Sequence, residues 1–347
     1  MRKNITPDKP FLTYEEMVSK LKNNDGLLIY DDGFAQNALQ TLSYYNLING
    51  YQDCFRDQAT GKFKGNITIE FLCRFHYFDK SFQHIFLKYC TYIEDTFKNH
   101  ISYVISKDFG VMMDDYLDPS HYIQRPPWQK RAKNIEETIT NIRKNAQHHQ
   151  AQNPTKYYLE NHNHVPAWIL FKNTNFTDVI DLYSFMKDAQ KKQVLHFFFA
   201  DFPLETELQK EFLKISITLI RKFRNRIAHN LKYYAFKPSK TYFSKTLLRP
   251  IAQTTPLLTI EEVSREIRGR NDVYAFLLAL IFLLGTSDLK LELLQEIALL
   301  IQQDQHASLE LQQQPLFLPY SEITGLPQDL IDRLGQYYNE TLQNFRS

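Results

Sequence analysis

The run Arg221-Lys-Phe-Arg-Asn-Arg-Ile-Ala-His-Asn230 gathers cations, an amide and an imidazole into a short stretch of chain. A helix turns about 100° per residue. Arg221, Asn225 and His229, spaced i, i+4, i+8, therefore share one face. Arg224 lies to one side of Asn225, and its long guanidinium can swing back toward that face. Such a set suits phosphodiester chemistry. An arginine grips phosphate in two-pronged fashion and stabilises charge that builds at phosphorus. Histidine moves a proton near neutral pH, as base to a ribose 2′-OH or as acid to the leaving 5′-oxygen. Asn225 can orient the histidine or hold a phosphate oxygen, while Arg221, Lys222 and Arg226 add charge for contact with an RNA backbone. Attack by the 2′-OH uses no metal and distinguishes RNA from DNA. The same surface also serves a protein that holds structured RNA without cutting it. A purely structural reading stands beside both: cations and histidine favour the dipole at a helix C-terminus, and Asn230 suits the capping position.

These residues need a helix to carry them. From Glu205 to about His229 the apolar row Leu208, Phe212, Ile215, Leu219, Phe223, Ile227 advances in steps of three and four, which predicts one. A second such row, Phe71, Phe75, Phe78, Phe82, Ile85, Tyr89, Tyr92, Ile93, Phe97, Ile101, Val104, predicts a long amphipathic helix from Thr68 to about Ser106. Its aromatic stripe is read as core rather than as a base-stacking platform. Thr13-Tyr-Glu-Glu16 is a capping box that opens a helix to about Leu21. Leu27 to Tyr30 reads as a very short strand, and Asp31 to Leu42 as helix. Asp108 to Pro127 reads as irregular, Trp128 to about His149 as a polar helix, and Asn153 to Pro166 as loop. Short helices are expected near 167–171, 177–187 and 191–199. Loop follows over Phe236 to Pro256, then helices over 261–268, 273–284, 289–303 and 328–345. The expected fold is all-α. A small N-terminal helical unit spans 1–60, a helical core bearing the Arg–His run spans 61–235, and a C-terminal helical region spans 236–347.

Composition sets further bounds. The 347 residues carry a net charge of only +2, so RNA contact would rest on local patches rather than on bulk charge. Lys62, Lys64, Lys130, Arg131, Lys133, Arg143 and Lys144 are read as solvated basic faces that can also track a backbone, with Trp128 or Tyr157–Tyr158 stacking on bases. With 10 glycines there is little room for a phosphate-cradling loop, and patterns for P-loop, dinucleotide, zincin or serine-hydrolase chemistry are missing from the sequence. Three widely spaced cysteines, Cys54, Cys73 and Cys90, form no CxxC pair, which suits a reducing cytoplasm. His148, His149, His162 and His164 lack companion ligands at metal spacing, so neither metal nor cofactor is expected. Met1 to Pro10 lacks the apolar stretch of a secretory signal. Val273 to Leu284 is apolar throughout but 12 residues long, against about 20 for a membrane span. It reads as a buried core helix or an oligomer contact.

The run Arg224-Asn-Arg-Ile-Ala-His229 resembles the R-N-x-x-x-H form of the HEPN ribonuclease motif. Lys9-Pro-Phe-Leu-Thr-Tyr-Glu-Glu16, Tyr44-Tyr-Asn-Leu-Ile-Asn-Gly-Tyr51, the Phe78-Asp79 helix and Val165-Pro-Ala-Trp168 come before it. In order and spacing they resemble the Abi family of bacterial abortive-infection proteins, the AbiD/AbiF group. The resemblance runs from about residue 9 to 235. It departs from the family in lacking a glycine within Phe171-Lys-Asn-Thr-Asn-Phe176. It implies a HEPN-like helical bundle with metal-independent endoribonuclease activity in phage defence, producing 2′,3′-cyclic phosphate ends. Arg224, Asn225 and His229 would then be the catalytic set. One motif per chain implies a homodimer with a composite site, and the group further implies restraint by a small non-coding RNA.

Overall fold

The structure, a computed structural model, describes residues 9–124, 134–199 and 204–342. Among the described residues the protein is all-α, and its only strand-like pairing is two isolated bridges, Leu28 with Thr68 and Arg56 with Phe63. The expected strand at Leu27–Tyr30 thus shrinks to one bridged residue. In chain order the helices are α1 (Tyr14–Asn23), α2 (Asp32–Leu42), α3 (Gly50–Phe55), α4 (Ile69–Phe109), α5 (Met113–Tyr116), α6 (Ile135–Lys144), α7 (Thr155–Asn161), α8 (Ala167–Asn173) and α9 (Phe176–Phe185). They continue as α10 (Asp188–Phe199), α11 (Thr206–Ala228), α12 (Lys245–Thr254), α13 (Ile260–Ser264), α14 (Val273–Leu283), α15 (Ser287–Glu310), α16 (Phe317–Thr324) and α17 (Leu330–Tyr337).

Two helices, α7 and α12, lie where the sequence predicts loop, and a third, α16, lies where it assigns no element. In α12, Pro250 masks a helix whose Leu247, Leu248 and Ile251 are buried and whose Ser244 hydroxyl accepts the Leu247 N–H. Pro154 and Pro319 similarly hide α7 and α16. Pro154 caps α7, and Pro319 sits in the first turn of α16, where its missing N–H would have had no partner inside the helix. The polar helix expected from Trp128 to His149 narrows to α6. Residues 145–149 form turns, and Trp128, Lys130, Arg131 and Lys133 lie outside the described residues.

The chain divides into two units, residues 1–83 with 304–323, and 84–303 with 324–347. In the first, Thr13 and Glu16 close the expected capping box at 2.7 and 3.2 Å, and α1 packs on α2. Within its core lies a polar knot. The Asp79 carboxylate accepts hydrogen bonds from Tyr51 Oη at 2.9 Å, Gln83 Nε2 at 2.9 Å and Tyr320 Oη at 3.2 Å, and Tyr51 Oη also meets His76 Nδ1 at 3.0 Å. The knot ties α3, α4 and α16 together.

Burial acts on the two titratable members in opposite directions. It pushes Asp79 up from 3.8 to about 6, against the three hydrogen bonds it accepts and the nearby Lys80. Burial, with Lys80, pushes His76 down from 6.5 to about 4. For Asp79 the folded value is the higher one, so its contribution is full below about 4 and is lost as pH rises through 6. For His76 the folded value is the lower one, so its contribution is full above 6.5 and is lost as pH falls through 4. Stability of the wild type should therefore be nearly flat between these limits. Asp79→Asn should lose about 2–3 kcal/mol on acidification across that window, and His76→Gln should gain a similar amount. Chemical-denaturation midpoints measured across the window check this. Slopes identical in all three proteins would show that the knot does not titrate as described.

The second unit is built around α14. All eleven of its residues are buried. The expected alternatives of core helix and oligomer contact are thereby resolved in favour of core. Among the described residues no helix is long and apolar enough to cross a membrane. The Asp272 carboxylate caps α14, accepting the Ala275 N–H at 2.8 Å and the Gly269 N–H at 3.1 Å. Gly325 passes against that carboxylate with φ +79°. A Cβ there would stand 3.0 Å from Asp272 Oδ2, so both the conformation and the space call for glycine. Helix α11 packs along α14, with Phe223 stacked on Phe276 at 4.6 Å and Phe212 edge-on to Phe282 at 5.9 Å.

Candidate active site at the end of α11

Phe223 and Ile227 are buried, and they clamp the last turns of α11 against the core. That clamp aims the intervening residues outward. The helix ends in a Schellman motif. Asn230 takes the left-handed conformation at φ +55°, its N–H bonds the Ile227 carbonyl at 3.0 Å, and the Leu231 N–H bonds the Arg226 carbonyl at 2.8 Å. Asn230 is thus the C-terminal stop that the structural reading of the run anticipates. His229 sits just before it, and its N–H still reaches the Asn225 carbonyl at 3.1 Å, so the helical register carries through to the imidazole. The His229 side chain is exposed and has no hydrogen-bond or ion-pair partner among the described residues.

Arg224 is held from two sides. One amino group, Nη1, donates to Asn225 Oδ1 at 3.0 Å, and the other, Nη2, pairs with Glu94 Oε2 at 3.1 Å. Glu94, on α4, shares its second oxygen with Lys98 Nζ at 2.8 Å, and both partners of that second pair are largely buried. Fully buried Cys90 lies one turn before Glu94, and its thiol is pushed up by burial and by Glu94, against the pull of Arg224. The carboxylate does not neutralise the cluster. Arg224 and Lys98 are two cations on one anion, and Arg224 keeps about a third of its side chain open to solvent. Arg221 Nη1 donates to Thr177 Oγ1 at 3.3 Å, which brings the opening turn of α9 beside the guanidinium. That first turn also carries the buried carboxylate of Asp178.

Not every expected residue joins this group. Lys222 Nζ donates to Thr241 Oγ1 at 2.8 Å, and burial together with Arg221 holds its amine below the usual range. Arg226 lies over the Phe236 ring at 4.0 Å and donates to the Lys232 carbonyl at 2.8 Å. Both bind the segment that follows α11 back onto the helix. Asn225 is brought to Arg224 rather than to His229. Arg221, Arg224 and Asn225 hold contacts with one another or with neighbouring helices, and His229 stands exposed at the end of the same helix. Glu94, Lys98 and Thr177 join the group from other helices, and sequence reasoning does not single them out. A faint signal was present for two of them, because Glu94 and Lys98 are charged at i, i+4 within the long aromatic helix.

Other expected features lie apart. Arg143 pairs with Asp114 at 2.7 Å, and Tyr158 packs on His162 at 4.5 Å. Among the described residues no three His, Cys, Asp or Glu side chains are grouped as metal ligands. A family model described as Abi-like protein matches residues 37–235, more than half of the chain and the stretch that includes the Arg224–His229 run. No curated protein and no solved structure matches the chain.

Proposed function

Because the chain belongs to the Abi-like family, we propose that it acts in abortive infection, as a cytoplasmic, metal-independent endoribonuclease with its site at the end of α11. The observation that carries this reading is the pairing of a held guanidinium, Arg224, with an exposed, unpartnered imidazole, His229, at one helix end. The ribose 2′-oxygen attacks phosphorus and the bond to the 5′-oxygen breaks, leaving a 2′,3′-cyclic phosphate and a 5′-hydroxyl. His229 takes the 2′ proton or delivers one to the departing 5′-oxygen. Arg224 stabilises the charge that accumulates on the phosphorane oxygens. Arg221 receives the backbone phosphate beside Thr177, and Asn225 fixes the Arg224 side chain. One chain supplies one histidine, so a homodimer that joins two such helix ends provides both the base and the acid.

The direct test incubates purified protein with total RNA in excess chelator and examines the ends. New 2′,3′-cyclic phosphates support the reading. RNA left intact by protein stripped of any bound nucleic acid overturns it. A second reading is favoured by one observation, that the Arg224 guanidinium is already engaged by Glu94 and Asn225. In that reading the surface binds a structured RNA, such as a small non-coding RNA, without cutting it. Co-purifying RNA with intact ends, retained by His229→Ala, marks this second case.

A further inference from the structure

In the first unit the start of α4, the loop before it and the approach to α16 enclose a cleft of about 530 Å³. Its lining is unlike that of a packing defect. Phe71, half-buried, and Leu318, 43% exposed, present apolar surface from two different helices. The side chains of Lys64, exposed, and Arg74 line it as cations with no hydrogen bond or ion pair among the described residues; they act only at a distance, on Asp57 and Asp304. Glu322 lines it with no such partner either. Charged groups left unpaired around an apolar floor are what a ligand of matching polarity completes.

The charges decide the class. Glu70 and Glu322 balance Lys64 and Arg74, so the cleft disfavours a simple polyanion and suits a molecule with one anionic end and one hydrogen-donating end. The Phe71 ring and the two cations line the same cleft, which suits a ring system joined to that anion. We propose that this cleft binds a purine nucleoside monophosphate. The phosphate lies on Arg74 and Lys64. The base lies over Phe71, and a guanine offers its N1–H and amino group to the Glu322 carboxylate, with Asn66 and Gln314 at hand for the remaining edge. Glu322 makes guanine the preferred base. The ligand is a free nucleotide or a single unstacked nucleotide of an RNA, which present the same chemistry.

Isothermal titration of the full-length protein with GMP tests this without any use of RNA cleavage, and so stands apart from the function proposed above. Saturable binding is expected. Arg74→Ala should weaken it by about tenfold or more, the loss of one charge-assisted contact, with an unchanged melting temperature because Arg74 has no partner to lose. Glu322→Gln should weaken GMP but not AMP. A short 2′-O-methyl oligonucleotide containing guanine, which cannot be cleaved by 2′-OH attack, separates the two sources when it is titrated into wild type and Arg74→Ala. Binding tighter than GMP that Arg74→Ala weakens assigns the cleft to RNA, and oligonucleotide binding that Arg74→Ala leaves unchanged assigns it to the free nucleotide. No saturable GMP binding at millimolar concentration overturns the proposal. So does GMP binding that is unaffected by both Arg74→Ala and Lys64→Ala.

Discussion

His229→Ala is expected to lower RNA cleavage by about 10²–10⁴-fold, the range for loss of a general acid or base, with almost no change in stability. The imidazole is exposed and unpartnered, and the Schellman hydrogen bonds that end α11 are made by backbone groups which alanine keeps. Surface changes of this kind stay within about 0.5 kcal/mol. Arg224→Ala should cost about 10²–10³-fold in turnover as a lost oxyanion donor, and it should also destabilise, because Glu94 is then left with Lys98 alone. Arg224→Lys keeps the charge but cannot serve Glu94 and Asn225 at once, so little turnover should return. Glu94→Gln separates positioning from simple electrostatics. Removing an anion from a phosphate site can only strengthen RNA binding through charge. If Glu94 acts by holding Arg224, kcat falls while KM does not rise. Rates on a defined RNA, with end analysis, measure all four variants. Undiminished production of cyclic ends by His229→Ala would remove the histidine from the mechanism.

The parts of this protein that were legible in sequence are those where one rule acts alone. The α14 run is apolar on every side, so no face of it can be left in water, and it lies at the centre of its unit. The α1 capping box and the Asn230 stop are local hydrogen-bond patterns, settled within a few residues of chain. Where two rules compete, the weaker signal was overruled. Pro250 suggested a break, but burial of Leu247, Leu248 and Ile251 outweighed it and α12 forms through the proline. The site was half legible for a different reason. Spacing on a single helix identifies Arg221, Asn225 and His229 as neighbours, and the register bears that out as far as His229. It carries no information about which helix packs alongside, so Glu94 was invisible although it fixes the guanidinium to which the proposed chemistry is assigned. The same limit hides the contacts of Lys222 and Arg226. Both carry the right charge at the right place, yet Thr241 and Phe236, more than a turn beyond the helix, claim them for the fold.

Phe276→Ala should be among the most damaging single changes. The ring is fully buried, stacked on Phe223 at 4.6 Å with an interplanar angle of 3° and edge-on to Phe86 at 5.2 Å. Its removal takes away the transfer free energy of the side chain and leaves a cavity bounded by two rigid rings on α4 and α11. Such sites collapse poorly, so a loss of about 3–5 kcal/mol is expected. Against a total of about 5–15 kcal/mol for a typical domain, that is a large fraction. Phe276→Leu refills most of the space and should cost clearly less. The consequence reaches the candidate site because Phe223 immediately precedes Arg224 and is one of the two residues that aim it. Hydrogen exchange gives the sharpest readout, since amides of α11 and α14 should lose protection together in Phe276→Ala while those of α1 and α2, in the other unit, keep theirs. Denaturation of the same variant supplies the magnitude, and a loss below about 1 kcal/mol would mean that the aromatic stack is not what holds α11 in place. A variant that remains folded at low temperature yet cuts RNA poorly would tie turnover to the rigidity of this stack, because the change leaves Arg224, Asn225 and His229 themselves untouched.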